Sequence, residues 1–126
     1  METMQLLLVD DEQDFLTYTS RRFKRRNVKI STAQSGQEAL DLFEETEFDV
    51  VVLDVKMPGM DGMTVLERIR KIAPRAKVIL LTGHASTEAA VQGMALGAFE
   101  YMLKPVQFEE LYFKVIEAAR AARATV

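Results

Sequence analysis

Four short apolar runs in this chain each stop at a polar or charged residue, and that arrangement narrows the possible folds more than anything else in the sequence. Leu6 to Val9 stops at Asp10 and Asp11, and Val50 to Leu53 stops at Asp54; Val78 to Leu81 stops at Thr82, and Phe99 to Leu103 stops at Lys104 and Pro105. Helix-like segments separate the runs, an alternation that predicts an α/β domain with a parallel sheet. Parallel strands share one C-terminal edge, and ligands in open α/β sheets bind just beyond it. Three carboxylates, a hydroxyl and an ammonium are thereby expected at one place.

The segments between the runs read as follows. A first helix from about Glu12 to Arg26 buries Phe15, Leu16, Thr19 and Phe23 at helical spacing, and a second strand follows over Val28 to Ala33. Ser35 with Glu38 three residues later forms a capping-box signature for a second helix facing inward through Ala39, Leu40 and Phe43. After the third strand comes the turn-rich loop Pro58-Gly59-Met60-Asp61-Gly62. The third helix carries Val65, Leu66, Ile69 and Ile72 on one side and ends near Ala73, before Pro74.

Ser86 or Thr87 caps a fourth helix, which carries Ala90, Val91 and Met94, has Gly93 in its interior and closes at Gly97. Gly93 is expected to weaken it by about 1 kcal/mol relative to Ala. The fifth helix shows the clearest stripe, Phe108, Leu111, Tyr112, Val115, Ile116 and Ala119, while Ala118 to Val126 reads as a fraying end or the start of a linker. Runs one, three and four are continuously apolar, as suits strands covered on both faces. Strands two and five alternate, with Phe99, Tyr101 and Leu103 on one side of the fifth, so they belong at the edges. With right-handed crossovers the strand order is 2-1-3-4-5, placing the carboxylates at the switch point between strands one and three.

At 126 residues the chain suits one domain, residues 1–126 with a core over about residues 4–122. Its apolar runs are too short for a membrane span, and Met1-Glu2-Thr3-Met4 lacks the basic start of a secretory signal, so a cytoplasmic location is expected. The chain has no cysteine and one histidine, His84, which excludes a thiolate or multi-histidine metal site. A net charge of −3 gives no reason to expect nucleic-acid binding. The basic clusters Arg21, Arg22, Lys24, Arg25, Arg26 and Arg68, Arg70, Lys71 read as solvated helix faces.

Three neighbouring carboxylates stay ionised together only beside a cation. With oxygen ligands alone, Mg²⁺ is the natural candidate, and it recruits phosphate. A carboxylate can itself be the nucleophile that forms an aspartyl-phosphate. Taken singly, the residues have plainer readings: Asp10 or Asp11 as a helix cap, Asp54 as a turn cap, Thr82 as an ordinary strand end, Tyr101 as a half-buried edge aromatic, and Lys104 as a solvated cation.

Taken together, Asp10-Asp11, the stretch Leu53-Asp54-Val55-Lys56-Met57-Pro58-Gly59-Met60-Asp61-Gly62, Thr82-Gly83 and Tyr101-Met102-Leu103-Lys104-Pro105 resemble the response-regulator receiver domains of two-component phosphorelay signalling. The resemblance implies a CheY-like, flavodoxin-like (βα)5 three-layer sandwich. It implies that Asp54 accepts a phosphoryl group from a histidine kinase or phosphotransfer protein. Asp11, Asp54 and the backbone carbonyl of Lys56 would hold Mg²⁺, with Asp10 holding a metal-bound water or ligating directly. Lys104 would pair with the phosphoryl group, Thr82 would hydrogen-bond to it, and Tyr101 would be an aromatic switch.

Lys56 and His84 stand where such domains tune phosphoryl hydrolysis, although both also read as exposed loop residues. The implied role is signalling, with self-phosphorylation from small donors and autodephosphorylation as the only chemistry. The face made by the fourth helix, fifth strand and fifth helix would control an output domain, a partner or a phosphorylation-dependent homodimer. A cis Lys104-Pro105 bond is expected. A haloacid-dehalogenase-type phosphatase also uses an aspartyl nucleophile and Mg²⁺, but it needs an acid/base aspartate where this chain has Lys56. A degenerate receiver acting only as a binding module is disfavoured because every charged member of the site is present, and no glycine-rich dinucleotide turn follows the first strand.

Overall fold

The computed structural model describes residues 3–83 and 86–124. Strand β1 (Gln5–Val9) leads into α1 (Gln13–Arg25), β2 (Lys29–Ala33) into α2 (Gly36–Leu42), and β3 (Val50–Leu53) into α3 (Gly62–Ile72). Then come β4 (Lys77–Thr82), α4 (Thr87–Ala95), β5 (Glu100–Leu103) and α5 (Phe108–Ala124). The five strands form one sheet in the order β2-β1-β3-β4-β5, with every neighbouring pair parallel. Fold and strand order are those anticipated.

The pleat of the three central strands divides the core in two. Leu7, Val9, Val51, Leu53, Val78 and Leu80 pack with Ala39 of α2 and Val65, Leu66 and Ile69 of α3. Leu6, Leu8, Val50, Val52, Ile79 and Leu81 pack on the opposite face with Leu16 and Phe23 of α1 and Leu111 and Val115 of α5. Side chains of a strand alternate between faces, so an unbroken apolar run supplies both layers at once.

The helix ends follow local chemistry. Ser35, Asp61 and Ser86 each cap a helix by accepting a backbone N–H three residues on, from Glu38, Thr64 and Ala89. Helices α1 and α4 each end on a left-handed residue, Asn27 at φ 62° and Gly97 at φ 101°. The residues after them, Val28 and Ala98, donate back to the carbonyls of Phe23 and Gly93, which satisfies the otherwise unpaired end of each helix.

Four sequence expectations need correction. Ile72, Val91 and Met94 are exposed rather than buried; the side of α4 that meets the sheet is made by Gly93, with Ala89 and Leu96 beside it. Gly93 is thus a packing requirement, since a Cβ there would lie 2.4 Å from Leu80 Cδ1. On β5 the buried residue is Met102, not Leu103. The alanine-rich end stays helical through Ala124, with Ala118, Ala119 and Ala122 buried. The basic residues of the α1 cluster lie on the outer face as expected, where two also find partners: Arg22 lies 4.7 Å from the Phe108 ring centre, and Arg26 lies 4.6 Å from that of Tyr112 and pairs with Glu109.

Candidate functional site

The site is assembled by residues that continue the sheet one step past its strands. The Asp10 N–H donates to Ala33 O at 3.0 Å, that of Asp54 to Val9 O at 3.0 Å, and that of Lys104 to Thr82 O at 2.8 Å. These bonds extend the parallel ladder and fix the backbone from which each functional side chain starts, so the side chains of Asp10, Asp54 and Lys104 emerge from the rigid part of the molecule. Thr82 is itself the last residue of β4 and fully buried.

One carboxylate oxygen from each of Asp10, Asp11 and Asp54 comes within 4.8 Å of the others, so this acidic cluster has the reach to hold a metal ion. Asp10 and Asp54 are buried, at 1% and 6% exposure, and Asp11 is exposed. Lys104 Nζ lies 2.5 Å from Asp10 Oδ2, 3.2 Å from Glu12 Oε1 and 3.9 Å from Asp54 Oδ2. The Lys104-Pro105 peptide is cis, as expected.

Burial raises the Asp54 pKa, and the neighbouring Asp10 charge raises it further; the Lys104 ammonium, a Thr82 hydroxyl bond and the Lys56 N–H only partly offset this. Burial works against the Lys104 ammonium, yet its bond and charge pairing with Asp10, with help from Asp54 and Glu12, leave its pKa raised. A buried pair of carboxylates thus faces one lysine that favours Asp10. A cation at the cluster would relieve the remaining charge, and the all-oxygen donor set suits a hard ion.

Other anticipated residues sit as follows. The Lys56 side chain is exposed, while its N–H points to Asp54 Oδ1 at 3.3 Å. Tyr101 is partly buried against the core layer on the α2, α3 and α4 side, and burial followed by the Asp54 charge raises its pKa. His84 lies outside the described residues. Neither Asp10 nor Asp11 caps α1; Glu12 occupies that position without a side-chain cap bond, and its N–H donates to Asp10 Oδ1 at 2.9 Å.

Sequence reasoning passed over two features. Gly62 read only as part of a turn, yet a Cβ there would lie 2.3 Å from the Asp54 carbonyl oxygen, so only glycine lets α3 start against the Asp54 backbone. Glu12 and Phe15 read as helix residues, yet both touch Lys104, the Phe15 ring centre lying 4.4 Å from Nζ. The one available signal was their offset of three, which puts both on one side of the first helical turn.

The family model for the response regulator receiver domain matches residues 6–116. The chain belongs to that family. It is thus a receiver domain of the kind found in two-component systems, a signalling module. The Regulatory protein AtoC of Escherichia coli (strain K12) is 38% identical over 107 residues, 85% of this chain but 23% of that protein. Among solved structures, a CheY-like receiver domain protein from Methanospirillum hungatei JF-1 superposes at a TM-score of 0.95 with 30% identity, covering 99% of this receiver domain and all of that chain. A response regulator protein from Burkholderia pseudomallei, whose structure contains a phosphorylated aspartic acid, a calcium ion and citrate, superposes at 0.86 with 27% identity, covering 96% of this chain and 71% of that one.

Proposed function

We propose that this receiver domain, a single unit over residues 1–126, takes a phosphoryl group on Asp54 from a histidine kinase or phosphotransfer protein. The observation that carries the reading is the position of Asp54: a buried carboxylate at the sheet edge, hydrogen-bonded by Thr82, with Lys104 3.9 Å away and two further carboxylates in reach of one ion. An Asp54 oxygen attacks phosphorus, the bond from phosphorus to the donor's imidazole nitrogen breaks, and its electron pair leaves with the imidazole. That the similar Burkholderia structure contains both a phosphorylated aspartic acid and a calcium ion supports the same chemistry here.

Mg²⁺ is the ion that fits; Asp11, Asp54 and the Lys56 carbonyl would hold it, with Asp10 ligating or holding a water. When bound it offsets charge on the transferring phosphoryl oxygens. The chain's own residues do the rest: Lys104 moves its ammonium to a phosphoryl oxygen, and the Thr82 hydroxyl follows toward the same group. The space that hydroxyl leaves admits the Tyr101 ring, and the α4, β5 and α5 face passes the change to an output domain or partner, including a second copy. Lys56, exposed two residues past Asp54, and His84, two residues past Thr82 in the sequence, tune how long the phosphoryl group survives.

The test is intact-mass analysis after treatment with acetyl phosphate and Mg²⁺. One added phosphoryl group is expected, absent in Asp54→Asn and in EDTA. Undiminished loading of Asp54→Asn would refute the assignment.

A further inference from the structure

We infer that Glu12 and Phe15, on the first turn of α1, form a rest position for the Lys104 ammonium and so set the ease with which Asp54 is loaded. This rests on the phosphoacceptor reading and adds positioning residues to it.

The ammonium has three N–H donors. In the resting chain two reach the α1 side, toward Asp10 at 2.5 Å and Glu12 at 3.2 Å, while Asp54 at 3.9 Å lies beyond hydrogen-bond distance. The face of Phe15 completes the seat from 4.4 Å, attracting the cation through the ring quadrupole. Asp10 belongs to the acidic cluster that would hold the ion. Glu12 and Phe15 are outside the cluster, and their side chains reach the site at Lys104.

The consequence follows from differential binding. A phosphoryl group on Asp54 draws Lys104 to the Asp54 side, and every contact with Glu12 or Phe15 given up in that move favours the unloaded state alone. Weakening the seat therefore favours loading. An exposed ion pair of this kind is worth about a two- to fivefold change in an equilibrium constant, and a solvent-accessible ring contact about twofold. Glu12 makes no side-chain cap bond, so replacing its carboxylate by an amide leaves the start of α1 intact.

The experiment is a titration of the full chain with beryllofluoride at saturating Mg²⁺, followed by fluorine NMR of the bound mimic. Glu12→Gln is expected to tighten binding two- to fivefold, and Phe15→Leu, which keeps apolar bulk but removes the ring, about twofold. In a Lys104→Gln background both gains should vanish, because the seat acts only through that lysine; such loss of additivity is the signature of a direct coupling. Unchanged affinity in both single variants would overturn the inference, as would a Glu12→Gln gain that persists without Lys104, which would mean plain charge repulsion. Failure of the unaltered chain to bind beryllofluoride would instead overturn the phosphoacceptor reading.

Discussion

Helices α4 and α5 flank the same edge strand, yet the sheet holds them very differently. Over 17 residues α5 buries Leu111, Val115, Ala118, Ala119 and Ala122, and Lys114 pairs with Glu100 of β5 at 3.0 Å. Over 9 residues α4 buries Gly93 alone, and Val91 and Met94 stand 65% and 47% exposed. Apolar burial is the main source of helix stability inside a protein, so α5 is fixed by its side chains and α4 mainly by a close backbone approach. Elements that move in switching come from the weakly held end of a structure. The contrast therefore supports a division of labour in which α5 is the frame and α4 the part that responds.

The contrast breaks most clearly at α5. Leu111 is 1% exposed in the layer shared with α1 and the sheet, so Leu111→Ala should cost about 2–5 kcal/mol in urea unfolding. A loss below about 1 kcal/mol would mean that α5 is no better anchored than α4.

Gly93→Ala sharpens the other half. Alanine favours a helix by about 1 kcal/mol over glycine, but its Cβ would lie 2.4 Å from Cδ1 of the fully buried Leu80, with Met63 at 3.6 Å. Overpacking of this kind costs about 1–3 kcal/mol, so the net expectation is a destabilisation of about 1 kcal/mol, with faster amide exchange confined to α4. A stabilised variant would show that α4 has room to lift off the sheet without strain.

The same two helices show where the sequence was readable. Helix α5 was legible because its stripe repeats at helical spacing and nearly every member meets the core. In α4, Val91 and Met94 have the right spacing, but the close approach at Gly93 turns them outward, and period alone cannot report which side of a mixed helix meets the sheet. Asp10, Asp11, Asp54, Thr82 and Lys104 were legible as a group because a strand end is marked by the apolar run before it. The Lys104 seat was not, since it joins residues 92 apart for Glu12 and depends on the path of one long side chain. Gly62 was hidden because a glycine in a turn-rich loop already has a sufficient local explanation.

The smallest expected effect is on the outer side of α4. With 65% of its surface exposed, Val91 gains little from folding, and an exposed substitution away from caps and buried polar groups usually changes stability by no more than about 0.5 kcal/mol. Val91→Ser should therefore leave the urea midpoint near that of the unaltered chain and leave α4 exchanging its amides before α5. Serine is slightly the poorer helix-packing residue, but Ser86 still accepts the Ala89 N–H and Gly97 still closes the far end, so neither terminus is touched. A loss above about 1 kcal/mol would mean that Val91 is already covered by the rest of the chain. In that case the exposed side of α4 would be part of the folded core, and the distinction between a fixed α5 and a lightly held α4 would fail at the residue that shows it most openly.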